Sequence, residues 1–142
     1  MAKKSRQLET LIMHIESEKK ILAKSQKEIF EFLKNVGNFE KLMPETIEKF
    51  ELLPEESFLF QLKGMPTIKL KLDKVEADHL VVLAAASDKL PFTLRGEISA
   101  ISDDESEVQL VFEGEFNSMM AMMIKNPIQK FITTLSDNLK VI

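Results

Sequence analysis

The chain has 142 residues, 44% hydrophobic and 30% charged, with a net charge of −4 and an isoelectric point near 5.3. That balance excludes a disordered chain, and the acidic character argues against general nucleic-acid binding, which needs a basic footprint. The lack of cysteine excludes disulfides, thiolate catalysis and cysteine-bound zinc.

The length suits one domain, expected over residues 1–142. Lys3, Lys4 and Arg6 make a small basic start that leads into no long apolar region, so no signal peptide is expected. No apolar run approaches the ~20 residues of a membrane helix. A cytoplasmic protein with no stable membrane insertion is the expectation. Trp and Tyr are absent, so the aromatic bulk is ten Phe residues without a polar handle.

Leu11 to Ala23 reads as a long first strand, with Leu11, Met13, Ile15, Ile21 and Ala23 on one parity. Ser17 and Lys19 break the pattern, which suggests a bulge or an overhanging end. A helix through Glu16 to Ile21 is the alternative, since Glu and Lys favour helix. Ser25-Gln26-Lys27-Glu28 is a capping box, and Ile29, Phe30, Leu33 and Val36 then share one helical face. Gly37 is placed to end that helix in a left-handed conformation. Asn38 can cap a second short helix holding Phe39, Leu42 and Met43, which Pro44 stops.

Strands follow at about ten-residue spacing. They are expected over Thr46 to Leu53, Ser57 to Lys63, Thr67 to Val75, Leu80 to Ala86, Phe92 to Ala100 and Val108 to Phe116. Pro54-Glu55-Glu56, Gly64-Met65-Pro66, Ala77-Asp78-His79, Ser87-Asp88-Lys89 and the acidic Ser102 to Ser106 supply the turns. Leu80 to Ala86 is a continuous apolar run, suited to a strand covered on both sides or to an interface. Gly96 and Gly114 lie on the apolar parity of their strands, where a sheet bends sharply or another element comes close.

From Asn117 to Leu139, Met120, Ile124, Ile128, Phe131, Leu135 and Leu139 form one helical stripe, widened by Met119, Met123 and Ile132. Pro127 either splits this helix or kinks it; the stripe stays in phase across it, which favours a kink. The order is therefore strand, two short helices, six strands and a long helix. The fold class is α+β, a curved seven-stranded antiparallel sheet wrapped around the C-terminal helix.

The strand ending in Ile21-Leu22-Ala23, the Ser25-capped helix with Ile29-Phe30-Glu31-Phe32-Leu33, the segment Asn38-Phe39-Glu40-Lys41-Leu42-Met43-Pro44 and the closing helix with Pro127 carry a resemblance. The chain resembles the START-like (SRPBCC; Bet v 1-like, polyketide cyclase and lipid transport) superfamily over nearly its whole length. The resemblance implies a helix-grip fold and an apolar ligand held between sheet and long helix. Some members are cyclases or dehydratases, some are lipid or quinone carriers, and some bind protein partners. The glycine-rich loop of the plant pathogenesis-related branch has no counterpart at Pro54-Glu55-Glu56. The superfamily shares no catalytic set, so none is transferred.

Neither His14 nor His79 has a second ligand at helical spacing, so no metal is expected. No cofactor motif is present, neither a phosphate loop nor a nucleophile elbow. Asp103-Asp104-Glu105 reads as a plain acidic turn. Arg95, Glu97, Gln109, Glu113 and Glu115 share the outward parity and read as a solvated face with cross-strand ion pairs.

The expected ligand-lining residues are Phe58, Phe60, Leu70, Phe92, Leu94, Phe112, Phe116, Met120, Met123 and Ile124. The clustered Met119, Met120, Met122 and Met123 cannot all face inward. The leading expectation is a carrier or sensor of a small hydrophobic ligand such as a lipid, quinone or polyketide, monomeric or homodimeric. A cyclase or dehydratase would need Glu16, Glu18, Lys19, Glu48 or Lys49 turned inward. An interaction module would use the Leu80 strand or the methionines.

Overall fold

A computed structural model describes residues 10–86 and 91–142. The turn expected at Ser87-Asp88-Lys89 lies outside them. The first strand is two pieces, β1 (Thr10–Glu16) and β2 (Lys20–Leu22), both antiparallel to β8 (Glu105–Asn117). Ser17 makes the break. Its N–H donates to the Leu110 carbonyl at 2.9 Å, and its hydroxyl accepts from the Leu110 N–H at 3.0 Å. Beyond the break the side chains change face. Met13 and Ile15 are buried, but Ile21 is exposed and Leu22 packs on the core instead. The single parity expected from Leu11 to Ala23 is thus corrected, because an inserted loop reverses the alternation.

Helix α1 (Gln26–Lys34) begins at the capping box: the Glu28 N–H donates to the Ser25 hydroxyl, and the Ser25 N–H donates to the Glu28 carboxylate. It ends at Asn35 in an extended conformation, not at a left-handed Gly37. Asn35, rather than Asn38, caps the next helix by accepting from the Gly37 N–H at 3.2 Å. That helix, Val36–Leu42, is of the tighter 3-10 type and buries Val36, Phe39 and Leu42. Asn38 serves instead to tie the two helices together, donating to the Phe32 carbonyl at 3.0 Å.

Five strands follow before β8: β3 (Lys49–Leu53), β4 (Ser57–Gln61), β5 (Ile68–Glu76), β6 (Leu80–Ala85) and β7 (Phe92–Ser102). All pairings are antiparallel, in the order β1-β8-β7-β6-β5-β4-β3, with β2 beside β8. The sheet therefore has eight strands by count, one more than the seven expected, because the first is divided. The β3–β4 turn does without glycine; Glu55 and Glu56 both take left-handed backbone, at φ 61° and 56°. β6 alternates, with Val81 and Leu83 buried and their neighbours half-buried, rather than being covered on both sides.

One continuous helix, α2 (Ser118–Asp137), follows β8 with Pro127 inside it, and a short 3-10 helix, Asn138–Val141, comes after it. Asn117 caps it, its side-chain oxygen accepting from the Met120 N–H at 2.8 Å. Ala121, Ile124, Ile128, Phe131, Ile132 and Leu135 face the sheet and are buried. Each of the larger side chains, Ala121 excepted, contributes about 1.5–3 kcal/mol by leaving water. At the far end Asn138 donates to the Leu42 carbonyl at 2.9 Å, fastening the rod to the 3-10 helix. The remaining helix, α1, lies over β6 and β7, where Gly96 makes room for it. A Cβ on Gly96 would stand 3.1 Å from Leu33 Cδ1.

Candidate functional site

Phe side chains explain what lies between α2 and the sheet. Phe60 on β4 stacks on Phe131 of α2 at 5.1 Å between ring centres, and Phe58 stacks on Phe39 at 5.7 Å. Phe92 and Phe112 are 4.7 Å apart, with Phe116 6.2 Å beyond Phe112. Rings of this size fill the concave face. Between Phe92, Phe112, Phe116, Ile124, Ile128, Met65 and Ile68 only about 180 Å³ of crevice is left, with no volume that a water molecule can enter. Among the described residues, the apolar cavity expected inside the grip is reduced to this crevice. The alternating pattern marked the inward face, but stacked aromatics occupy it.

Of the expected lining residues, Phe58, Phe60, Leu70, Leu94 and Phe112 are at most 2% exposed. Phe92, Phe116 and Ile124 are also buried and border the crevice. Met120 is half-buried against the core. Met123 is corrected outright: it is 65% exposed, on the flank of α2 off the buried stripe of Ala121, Ile124 and Ile128.

Open space exists instead along one side of α2. A groove of about 470 Å³ runs between the helix and two connections, the one from the 3-10 helix to β3 and the one from β4 to β5. Pro44, Leu62, Pro127 and Phe131 give it an apolar floor, and Thr46, Lys63, Asn126, Lys130 and Thr134 form its rim. Pro127 helps to shape the wall, since it has no N–H and its ring stands off the helix backbone. Lys63 and Lys130 are exposed, and neither pairs with a carboxylate within 4.0 Å among the described residues. Alternation along β4 marked Leu62 as inward, but nothing in the pattern showed that Lys63 and Lys130 meet across one groove.

Groups able to move protons lie elsewhere. Buried polar side chains among the described residues are Ser17, Ser57, Ser106 and Ser136. Glu16, Glu18, Lys19, Glu48 and Lys49 are all exposed. His14 stands on the outer face of the sheet, 2.8 Å from Glu16 and 3.0 Å from Glu113. Hydrogen bonds to Glu16 and then Glu113 raise its pKa above the ordinary imidazole value. His14 and then Arg95 hold the Glu113 carboxyl below the usual range. Arg95 bridges Glu97 at 2.8 Å and Glu113 at 3.1 Å, the ion pairs expected of this face. His79 is fixed in its turn by Glu76 at 2.9 Å. No cluster of three or more metal-binding side chains occurs among the described residues.

The same architecture occurs in solved structures. Norcoclaurine synthase from Thalictrum flavum, in complex with dopamine and hydroxybenzaldehyde, superposes with a TM-score of 0.70 at 15% identity, over 94% of this chain and 87% of that one. The chain has the helix-grip fold. The Zhui aromatase/cyclase from Streptomyces sp. R1128 matches with a TM-score of 0.62 at 13% identity, over 90% of this chain and 94% of that one. A conserved protein from Geobacillus kaustophilus matches at 0.63 and 11%, over 92% and 93% of the two chains. No family model matches the sequence, and no curated protein matches it. At such identities the likeness is one of fold.

Proposed function

We propose that this protein binds a small amphipathic molecule, with an apolar body and an anionic head, in the groove beside Pro127. The observation that carries the reading is the pairing of an apolar floor with two lysines on the rim of a 470 Å³ groove that pair with no carboxylate among the described residues. That volume lies within the range of small-molecule sites, about 300–1,000 Å³, and a few placed polar groups on an apolar lining are typical of them. Phe131, Leu62 and the two prolines would take the hydrocarbon, and Lys63 and Lys130 the charge. Each ammonium is a compact, mobile donor suited to a carboxylate or phosphate. Medium-chain fatty acids fit this description, within the lipid-like class that the fold suggests.

The norcoclaurine synthase structure, with dopamine and hydroxybenzaldehyde bound, supports the idea that this architecture accommodates small organic molecules; the anionic head is read from Lys63 and Lys130 alone. Binding is favoured over acid–base catalysis, because beside two exposed lysines the groove is bordered by Pro, Leu, Phe, Thr and Asn side chains, none of which is an acid or base near neutral pH. Calorimetric titration with decanoate, decanol and decyltrimethylammonium tests the reading. Saturable binding is expected for decanoate, weaker binding for decanol and none for the cation. Lys63→Gln/Lys130→Gln is expected to weaken decanoate at least about fivefold, since exposed charge-assisted contacts contribute on the order of 1 kcal/mol. Indifference to the head group contradicts it.

A further inference from the structure

Three methionines on α2 have no counterpart in the sheet. Met119, Met122 and Met123 are spaced i, i+3 and i+4, which puts them on one helical face, and they are 74%, 81% and 65% exposed. Other exposed apolar side chains, such as Ile12, Leu52 and Ile101, belong to separate strands. Scattered single residues of that kind are ordinary, whereas three in five positions make a patch.

The charge on two of the segments nearest the patch is one-sided. Acidic residues number 23 of 142, yet Asn117 to Ser136 and Gln61 to Leu72 contain none. These two segments border the groove together with Pro44 and Thr46, which flank the exposed Glu45, and they carry Lys63, Lys125 and Lys130. None of the three lysines pairs with a carboxylate among the described residues. The carboxylates of Glu97, Glu113 and Glu115 lie on the outer face of the sheet, away from α2.

We propose that the first two turns of α2 dock the protein on an anionic lipid surface. Met119, Met122 and Met123 enter the acyl boundary, and Lys63, Lys125 and Lys130 lie at the headgroups. Thioether chains are flexible and suit a fluid, unshaped apolar phase. Lysine stems reach from an apolar surface to a charged one. No described helix is long and apolar enough to cross a membrane, which agrees with lying on the surface. A second copy of the chain fits this face poorly. Three side chains fall well short of the roughly 800 Å² per partner of a stable interface. Self-pairing would also set lysines against lysines. Met123 stands one turn before Pro127, so docking brings the groove mouth to the lipid. The docking inference holds whether or not that groove takes a ligand.

Flotation of the full chain with vesicles tests it. Vesicles of phosphatidylcholine mixed with phosphatidylglycerol are expected to capture the protein, and phosphatidylcholine alone to capture little. Capture is expected to fall steeply with added salt. Met119→Ser/Met122→Ser/Met123→Ser, at exposed positions, is expected to keep the parent thermal melt and lose capture at least about tenfold. Lys63→Gln/Lys125→Gln/Lys130→Gln is expected to lose about a hundredfold, at about fivefold per lysine. Three results overturn the proposal: no capture by either vesicle, equal capture by both, or capture that survives the serine substitutions. Conversion of a dimer to a monomer by those substitutions also overturns it, since the face would then be a self-interface.

Discussion

Phe131 of the closing helix lies parallel to Phe60 of the sheet, 5.1 Å away with the planes 15° apart. This stack pins the helix to the concave face and takes up volume that a ligand would otherwise occupy. Offset aromatic pairs contribute about 0.5–1.5 kcal/mol beyond the area they bury. A double-mutant cycle with Phe60→Leu and Phe131→Leu in urea unfolding is expected to return a coupling of that size. Strict additivity would mean that the rings merely fill space.

Gly114 is expected to resist substitution more strongly than Gly96. A Cβ at Gly114 would meet Phe92 Cβ and the Pro91 carbonyl oxygen, each at 2.7 Å, and neither can swing away. At Gly96 it would meet only a Leu33 methyl at 3.1 Å and Leu110 Cδ2 at 3.7 Å, which are ends of flexible side chains. Gly114→Ala should cost about 1–3 kcal/mol, as overpacking does, and Gly96→Ala less. Equal losses in denaturant midpoint would contradict the crowding read at Gly114.

Ser17 holds the divided first strand to β8 through three bonds: the two to Leu110, and one from Gln109 Nε2 to the Ser17 carbonyl at 2.9 Å. Ser17→Ala removes the acceptor of the buried Leu110 N–H. The expected cost is about 1–3 kcal/mol, that of leaving a buried donor unmade. Ser17→Thr keeps the hydroxyl and should recover most of it, measured by thermal melting.

The elements themselves were legible, and the reasons are local. The Ser25–Glu28 box marks its own helix, and the alternation of Phe58, Phe60 and Leu62 against Leu59, Gln61 and Lys63 marks a strand without any tertiary knowledge. What the pattern does not encode is volume and coverage. Met123 and Ile124 are neighbours in sequence, but only Ile124 lies on the buried stripe of α2. Val111 has outward parity yet is 1% exposed, lying between Glu16 on β1 and Arg95 on β7 in the sheet. The Phe stripe announced an apolar face; whether that face is a pocket or a packed core depends on ring placement, which periodicity does not carry. Lys63 and Lys130 are far apart in sequence and meet only because the helix returns past the end of β4.

The His14 cluster carries a pH dependence whose sign follows from its carboxylate partners. Its pKa is raised in the folded state, so the stability it contributes is fully present below the unfolded imidazole value, about 6.5. That contribution is lost as the pH rises through the raised value. Glu113 behaves oppositely: its pKa is lowered, so its contribution is present above the ordinary carboxylate range and is lost as the pH falls through the lowered value. These groups are exposed, so solvent screens the effect. The melting temperature of the native protein, relative to His14→Gln, is expected to decline gently from pH 6 toward pH 8. An unchanging difference between the two proteins across that interval would remove His14 from the account.

Methyl-resolved NMR during titration with decanoate addresses the groove most directly. Saturable shifts are expected at Leu62, Thr46 and Thr134, which border it, while Leu94, Leu110 and Ile98 in the packed interior stay still. Shifts centred on those interior methyls would mean that the aromatic core opens to admit the ligand, and the site assigned beside Pro127 would be wrong.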